Sequence, residues 1–448
     1  MTEIAASPAA AGGGRLGRLT AGPRPTFEDS DALTRRRYAK EARLKALGMG
    51  AIGTAMALLA LLLYSIVSQG YSAFWQTYVR LDVPLDAQVI DPQGTRDPAQ
   101  IARADTGTLV SRSVYELFPE VTDRQGRRQL RGIVSGPSAQ AEVRRRLAED
   151  PGLVGQTVPV WVLADDEVDQ FVKGKVDREA AEADRRLTDQ AIGWIDRLRD
   201  QDRLERRFNW PFFATGDSRE PELAGIRGAL MGSFYMMLVT LLVSVPVGIG
   251  AAVYLEEFAP KNRLTDLIEV NVNNLAAVPS IVFGLLGLAV FLNTFGMPRS
   301  APLVGGLTLA LLVLPTIVVA TRAAFRAVPP SIRQAALGIG ASKVQTIVHH
   351  VLPLALPGIM TGTIIGMAHA LGETAPLLMI GMKAFIVDVP GGPLDPAAAL
   401  PVQIYIWSDS PERAFAEKTS AAIIVLLLFL VAMNAIAVLL RKRFERRW

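Results

Sequence analysis

Thr419-Ser420-Ala421-Ala422-Ile423-Ile424-Val425-Leu426-Leu427-Leu428-Phe429-Leu430-Val431-Ala432-Met433-Asn434-Ala435-Ile436-Ala437-Val438-Leu439-Leu440 carries no charged side chain and is followed at once by Arg441-Lys442-Arg443. About 20 such residues, rising 1.5 Å each as a helix, match the ~30 Å hydrocarbon layer of a bilayer. Comparable runs lie at 47–69, 228–255, 265–295, 303–321 and 356–384. Six spans are therefore expected. The run at 265–295 contains Asn271, Asn273, Asn274 and Asn293, so it must face protein or water rather than lipid.

The rest of the composition fits that reading. Half of the 448 residues are hydrophobic, only 20% are charged, and the net charge is +4. Many of the basic residues sit beside the ends of apolar runs, where they set topology, so the positive charge does not argue for nucleic acid. Cysteine is absent, which excludes a disulfide framework and thiolate chemistry. The three histidines, His349, His350 and His369, are too few and too scattered to build a metal site.

Residues 1–46 begin rich in Ala, Gly and Pro, a composition expected to be disordered, and become basic at Arg35, Arg36, Arg37, Lys40, Arg43 and Lys45. The first apolar run, 47–71 with its edges, is too long and too far from the start to be a cleaved signal. Positive-inside logic places the N-terminus in the cytoplasm, with Tyr71, Phe74, Trp75 and Tyr78 as an aromatic belt at the far interface. Residues 72–225 then form an external block of α+β type. Leu85–Ile90 and Gln156–Leu163 are expected as strands, the second with the clearer signal. Residues 177–207 are expected as one long amphipathic helix capped by Asp177. Trp210, Phe212 and Phe213 mark the return to the membrane. Asp165, Asp166, Glu167 and Asp169 are expected on a solvated acidic face.

Five further spans, 226–440, alternate from there and end in the basic cytoplasmic tail 441–448. The densest Lys/Arg clusters all fall on the cytoplasmic side. Arg322 and Arg326 are expected to snorkel to that interface.

One cytoplasmic segment has its own design. Pro329 and Pro330 suit a helix start. Gln334, Ala335, Ala336 and Ile339 continue that helix, Gly338 and Gly340 supply a turn, and Ser342 can cap a second helix that Pro353 is expected to stop. Two short helices joined by glycine make a rigid knob through which an external force can move the attached spans.

The spacing of this knob resembles the EAA motif of ABC-importer permeases: Glu-Ala-Ala, three residues, Gly, nine residues, Ile, one residue, Leu-Pro. Ala335, Ala336, Gly340, Leu352 and Pro353 are in register; Gln334 stands in place of the acid and His350 in place of the isoleucine. The stretches Tyr254–Pro260, Asn273–Gly284 and Gly372–Leu378 are similar to those of phosphate-transport permeases of the PstA family, over about residues 226–440; the external block matches a long-insert subset.

That resemblance implies an all-α polytopic membrane protein, six transmembrane helices of ABC-importer permease type, with an extra-cytoplasmic α+β insert between the first and second spans. It implies a permease subunit of an ATP-driven phosphate importer in a bacterial inner membrane. The partners would be a second homologous permease, two ATPase subunits that bind ATP and Mg²⁺, and an external phosphate-binding protein. The ATPase-coupling residues would be Gln334, Ala335, Ala336, Gly340, Leu352 and Pro353. Other oxyanions (sulfate, molybdate, phosphonate) and a membrane-anchored sensor are the rival functions.

Glu373 lies within an apolar run, where ionised groups are costly and functional by default. His369, four residues earlier, shares its helix face. In the resembled family the His369 position is usually Arg, which would meet the anion while Glu373 holds it when the path is empty. Asn274 and Ser280, beside Pro279, are expected either to line that pathway or to join neighbouring spans. The chain has no phosphate-cradling Gly-x-x-x-x-Gly-Lys-Ser/Thr loop, no His-Glu-x-x-His and no nucleophile elbow, so catalytic residues, cofactors and metals are expected on other chains or not at all.

Overall fold

A computed structural model describes residues 27–94, 97, 100, 101 and 103–444. The stretch 1–26 and the end of the basic tail, Glu445–Trp448, lie outside the described residues. The described residues up to Tyr64 form one unit and those from Ser65 onward another.

Within the first unit lies most of helix α1, Phe27–Gly70. The basic cluster at 35–45 is already helical, with a Lys45–Glu41 ion pair one turn apart at 2.7 Å, so the helix starts well before the apolar run.

The second unit opens with the insert. Its elements are β1 (Trp75–Pro84), α2 (Ala87–Ile90), α3 (Thr106–Leu117), α4 (Arg124–Arg131), α5 (Gly136–Glu149), β2 (Thr157–Leu163), α6 (Asp166–Val172), α7 (Asp189–Asp200), β3 (Leu204–Phe208) and α8 (Trp210–Ala214). The sheet is antiparallel with order β2-β1-β3. Val79, Leu81 and Val83 alternate into a core shared with Leu109, Val143, Val160, Ile195 and Leu198.

Two expected elements differ. The strand expected at 85–90 is instead the short helix α2, because the Asp86 side chain accepts a hydrogen bond from Gln88 N and caps it; the strand lies just before it. The expected long helix at 177–207 is helical only from Asp189. Asp177 caps a local turn through Glu179 N instead of a helix, Thr188 is the true N-cap, and positions 204–208 pair with β1 because Leu204 and Phe208 fit opposite Val79 and Trp75.

The acidic face is not solvated. Asp169 is buried and accepts from Thr77 N at 2.9 Å, and its other oxygen pairs with Lys173 at 2.6 Å. Lys173 in turn pairs with Glu417 at 3.0 Å, and both side chains are buried. Glu417 also accepts from Gln170. These contacts fasten the insert to a later membrane helix. Burial, then the charges of Asp166 and Glu222, push the Asp165 carboxyl up to about 8.

A carboxyl raised on folding binds protons that the unfolded chain releases, so its contribution is present near pH 4 and is lost as pH rises through about 8. Asp165 also caps α6 by accepting from Glu167 N at 3.3 Å, and Asp165→Asn keeps that cap while removing the penalty. It is expected to stabilise the insert by roughly 2 kcal/mol at pH 9 and by little at pH 5, read as a pH-dependent shift in melting temperature.

The membrane core follows: α9 (Arg227–Val253), α10 (Arg263–Leu275), α11 (Ser280–Gly287), α12 (Pro302–Ala327), α13 (Pro330–Gly338), α14 (Lys343–Thr346), α15 (Leu352–Gly372), α16 (Ala375–Met379), α17 (Leu400–Ser408) and α18 (Arg413–Phe444). Among the described residues, five continuous helices are long and apolar enough to cross a membrane; α10 and α11, extended by a π-helical stretch to Thr294, form a sixth segment bent by 103°. The straight span expected at 265–295 is thus broken. Pro279 offers no N–H, and the residue before a proline resists the helical conformation; Pro279 itself is extended, at ψ 136°.

Side-chain register shows that this broken segment crosses. A Cβ on Gly306 would lie 2.6 Å from Val239 Cβ, and one on Gly248 would lie 2.7 Å from Ile317 Cγ2, so α9 and α12 run parallel. The chain must return between them. Glu269 of α10 meets Arg322 and Arg326 at the end of α12, while Gly287 of α11 meets Thr308 near its start. Next, α15 is antiparallel to α12, with Gly358 against Ala324 and Gly366 against Val313. The core between them is Met236, Val304, Val313, Ile317, Met367 and Leu371.

The fifth span also differs from its expected limits of 356–384. Pro353 does not stop a helix: a π-helical stretch at Ile347–Val351 widens the turn whose carbonyl its ring would strike, and one helical rod runs from Lys343 to Gly372. The rod ends there, and 373–384 is the short helix α16 and a loop.

Candidate functional site

The knob is built by local chemistry. Helix α13 ends in a Schellman motif, with Ala341 N donating to Ala336 O at 3.1 Å and Gly340 N donating to Leu337 O at 3.0 Å. Gly340 supplies the left-handed residue this motif needs, at φ +91°. Ser342 and Gln345 then form a reciprocal capping box on α14. A Gly340→Val substitution, β-branched at positive φ, is expected to cost about 2 kcal/mol of knob stability. Faster amide exchange at 336–346 in an inserted protein would register it.

The six residues expected at the coupling contact divide. Gln334 and Ala335 are exposed, as is Gly340; Ala336 is buried, and Leu352 and Pro353 are half-buried in the rod below. The outward face of the knob is apolar instead: Ile339 is 82% exposed, and Leu337, Val344 and Val348 are also open. Such a patch on a charged membrane face marks an interaction surface.

Beneath the knob lies an ion-pair cluster whose pairing the sequence did not disclose. Glu256 and Glu257 occupy the π-helical end of α9 (Tyr254–Phe258). Arg322, buried, donates to Glu256 at 3.3 Å and to Glu269. Arg326 donates to Glu256 at 2.9 Å and reaches Glu269 at 3.4 Å. These two arginines therefore join three spans; Arg322 is buried and does not snorkel, while Arg326 stays open at the interface as expected. Arg333 on the knob donates to Glu257 at 2.7 and 3.0 Å, to Phe325 O at 2.9 Å and to Val328 O at 2.8 Å. Its guanidinium fork welds α13 to the last turn of α12 and to the end of α9. The available signal was three acids and three arginines at matching depth beside span ends.

At the other end of the rod, His369 Nε2 and Glu373 Oε1 are 2.7 Å apart, with His369 open and Glu373 half-buried. The pair sits in the last turn of α15, where Glu373 is the C-cap. The break in the third span is close to it: a Cβ on Gly284 of α11 would be 2.6 Å from Pro376 Cα on α16. Ser280 begins α11, half-buried, and Asn274 lies exposed on the far side of the break. Among the described residues no hydrogen bond joins Asn274 or Ser280 to the His369–Glu373 pair. The structure thus pairs two of the four pathway candidates directly and leaves the other two at the adjoining break.

Known proteins bear on this arrangement. Residues 244–448 match the family of the binding-protein-dependent transport system inner membrane component, and residues 31–182 match a domain of unknown function (DUF3333). The chain is 36% identical over 173 residues to the probable ABC transporter permease protein YqgI of Bacillus subtilis, covering 38% of this chain and 58% of that protein. It is 35% identical over 240 residues to the phosphate transport system permease protein PstA 1 of Mycobacterium tuberculosis, covering 53% of this chain and 77% of that protein. An inward-facing structure of the MetNI methionine ABC transporter aligns with TM-score 0.41 at 18% identity, over 49% of this chain and 96% of the other. The multi-pass helical core, the capped knob and these sequence matches coincide over the same residues, and the chain belongs to the family of binding-protein-dependent inner-membrane permeases of ABC transporters.

Proposed function

We propose that this chain is the permease subunit of an ATP-driven importer of inorganic phosphate in a bacterial inner membrane, with both ends in the cytoplasm. The observation that carries the substrate is the 35% identity to a phosphate transport permease across 77% of that protein's length. The chain pairs with a second permease, receives phosphate from an external binding protein and is driven by two ATPase subunits that hold ATP and Mg²⁺; it performs no catalysis itself.

The geometry supports a division of labour. The ATPase grips the exposed face of the knob, Gln334, Ala335, Leu337, Ile339 and Gly340. The Arg333–Glu257 weld and the Arg322/Arg326 cluster pass the displacement to three spans at once. Alternating access then follows because the ATPase binds the knob differently in its two nucleotide states. His369 and Glu373 form the polar pair that a passing anion meets, with Asn274 and Ser280 at the neighbouring break. The imidazole edge meets the anion, and Glu373 holds the ring when the path is empty.

The test is purification of the assembly and measurement of ATPase activity with phosphate, sulfate and molybdate in turn. Stimulation by phosphate alone is expected. Glu373→Gln should lower phosphate uptake about tenfold by leaving the His369 ring without the carboxylate that orients it, whereas His369→Arg should retain uptake. Equal stimulation by sulfate would reject phosphate as the substrate.

A further inference from the structure

The insert carries a surface that the transport mechanism does not use. Trp75, Phe208 and Trp210 are exposed, Trp210 at 70%, and they touch one another: the Trp75 and Phe208 rings are 6.1 Å apart and the Phe208 and Trp210 rings 5.0 Å. Phe213 stacks under Phe208 at 5.9 Å, and Phe74 stacks under Phe213 at the same distance. The patch covers the end of β3, one of the two edge strands of the sheet. A bare strand edge dressed with large aromatics is an aggregation hazard in water unless something covers it.

Its position identifies the cover. Asn209, between Phe208 and Trp210, donates from its side chain to Ala73 O and from its backbone to Phe74 O, each at 2.9 Å. Gly70, the last residue of α1, abuts the backbone of Ser420 on α18. Ile226 N, one residue before α9, donates to Phe212 O at 2.7 Å. The patch therefore sits at the level where three membrane spans begin or end, on the face opposite the knob. Trp has its preferred position at that level, with its ring body among acyl chains and its N–H among headgroups. Arg206, exposed on the same strand and without a carboxylate partner among the described residues, suits a lipid phosphate.

We propose that the β3 edge of the insert lies in the lipid headgroup layer, with Trp75, Phe208 and Trp210 immersed as anchors that fix the insert's tilt on the membrane. Such anchoring does not depend on which anion is transported. Because the chain has no cysteine, a single introduced one is unique. Trp75→Cys, Phe208→Cys and Trp210→Cys, each in the full chain, are spin-labelled in vesicles of phosphatidylcholine and phosphatidylglycerol; Gln125→Cys on the exposed α4 serves as the aqueous reference.

Collision with oxygen relative to a water-soluble nickel chelate is expected to be at least about threefold greater at the three anchor sites than at 125. Nickel-dominated collision at these sites, as at 125, would overturn the proposal. So would shielding from both reagents, which would mean that a protein covers the patch. Three separate sites keep the result readable if one variant does not fold.

Discussion

Replacing Arg333 with alanine is expected to leave the chain inserted in the membrane and to cut ATP-driven uptake by about one to two orders of magnitude. The substitution removes charge-assisted hydrogen bonds worth about 1.5–3 kcal/mol, and about 1.4 kcal/mol is a factor of ten. The force path makes that loss functional. Arg333 is the knob residue bonded at once to Glu257 and to the Phe325 and Val328 carbonyls. Without it the knob can pivot on the chain at Val328–Pro329 while the spans stay still, and Glu257 loses its counter-charge in a largely buried position.

Arg333→Lys separates the causes, because an ammonium can neutralise Glu257 but cannot fork to both the carboxylate and the carbonyls. Partial uptake is expected from it. ATPase activity should persist in Arg333→Ala while transport fails, the signature of uncoupling. Wild-type uptake in that variant would remove the cluster from the coupling path.

The second large effect is on stability. Glu417→Ala is expected to destabilise the joint between insert and core by about 3 kcal/mol, since it removes one of the two carboxylates around the buried Lys173 and the only one of them that lies on the membrane helix, together with its charge-assisted hydrogen bonds. Glu417 receives Lys173 at 3.0 Å, Lys175 at 3.3 Å and Gln170. The neighbouring Lys418 is also buried, held by Ala224 O at 3.1 Å and by the Phe212 ring. Removing the carboxylate therefore leaves Lys173 with Asp169 alone and takes from Lys175 its carboxylate partner.

Limited proteolysis should release the region between β1 and β3 from Glu417→Ala at temperatures where the wild type resists. Combining it with Lys173→Met should recover part of the loss, because the two changes act on one interaction and are not additive. An unchanged melting temperature in Glu417→Ala would mean that water reaches the joint and that the pair holds nothing together.

Much of the architecture was readable from local properties. The six crossings follow from hydropathy, which sums residue by residue along one segment and needs no knowledge of neighbours; the bend in the third does not. The knob was readable for the same reason: Pro330, Gly340 and Ser342 act on backbone groups within a few positions. The His369–Glu373 contact was likewise one helical turn and one face.

Where expectation and structure diverge, the deciding partner was distant. The Asn-rich third span bends at Pro279 because α11 can dock on α16 through Gly284. The helix expected at 177–207 yields its last residues to the sheet because β1 offers an edge. Arg322 looks like a snorkelling interfacial cation until Glu256 and Glu269, 66 and 53 residues earlier, are brought beside it. Asp169 looks like a solvated surface acid until Thr77 and Lys173 enclose it.

By itself, then, the order of residues determined which segments enter the bilayer, how many there are and where the capped turn of the knob falls, since transfer free energy and backbone capping depend on the segment alone. Tertiary structure decided which charges are paired, which acids are buried and which aromatics stay open at the membrane edge. Electrostatic energies and burial depend on separations between parts of the chain that meet only after the spans have packed.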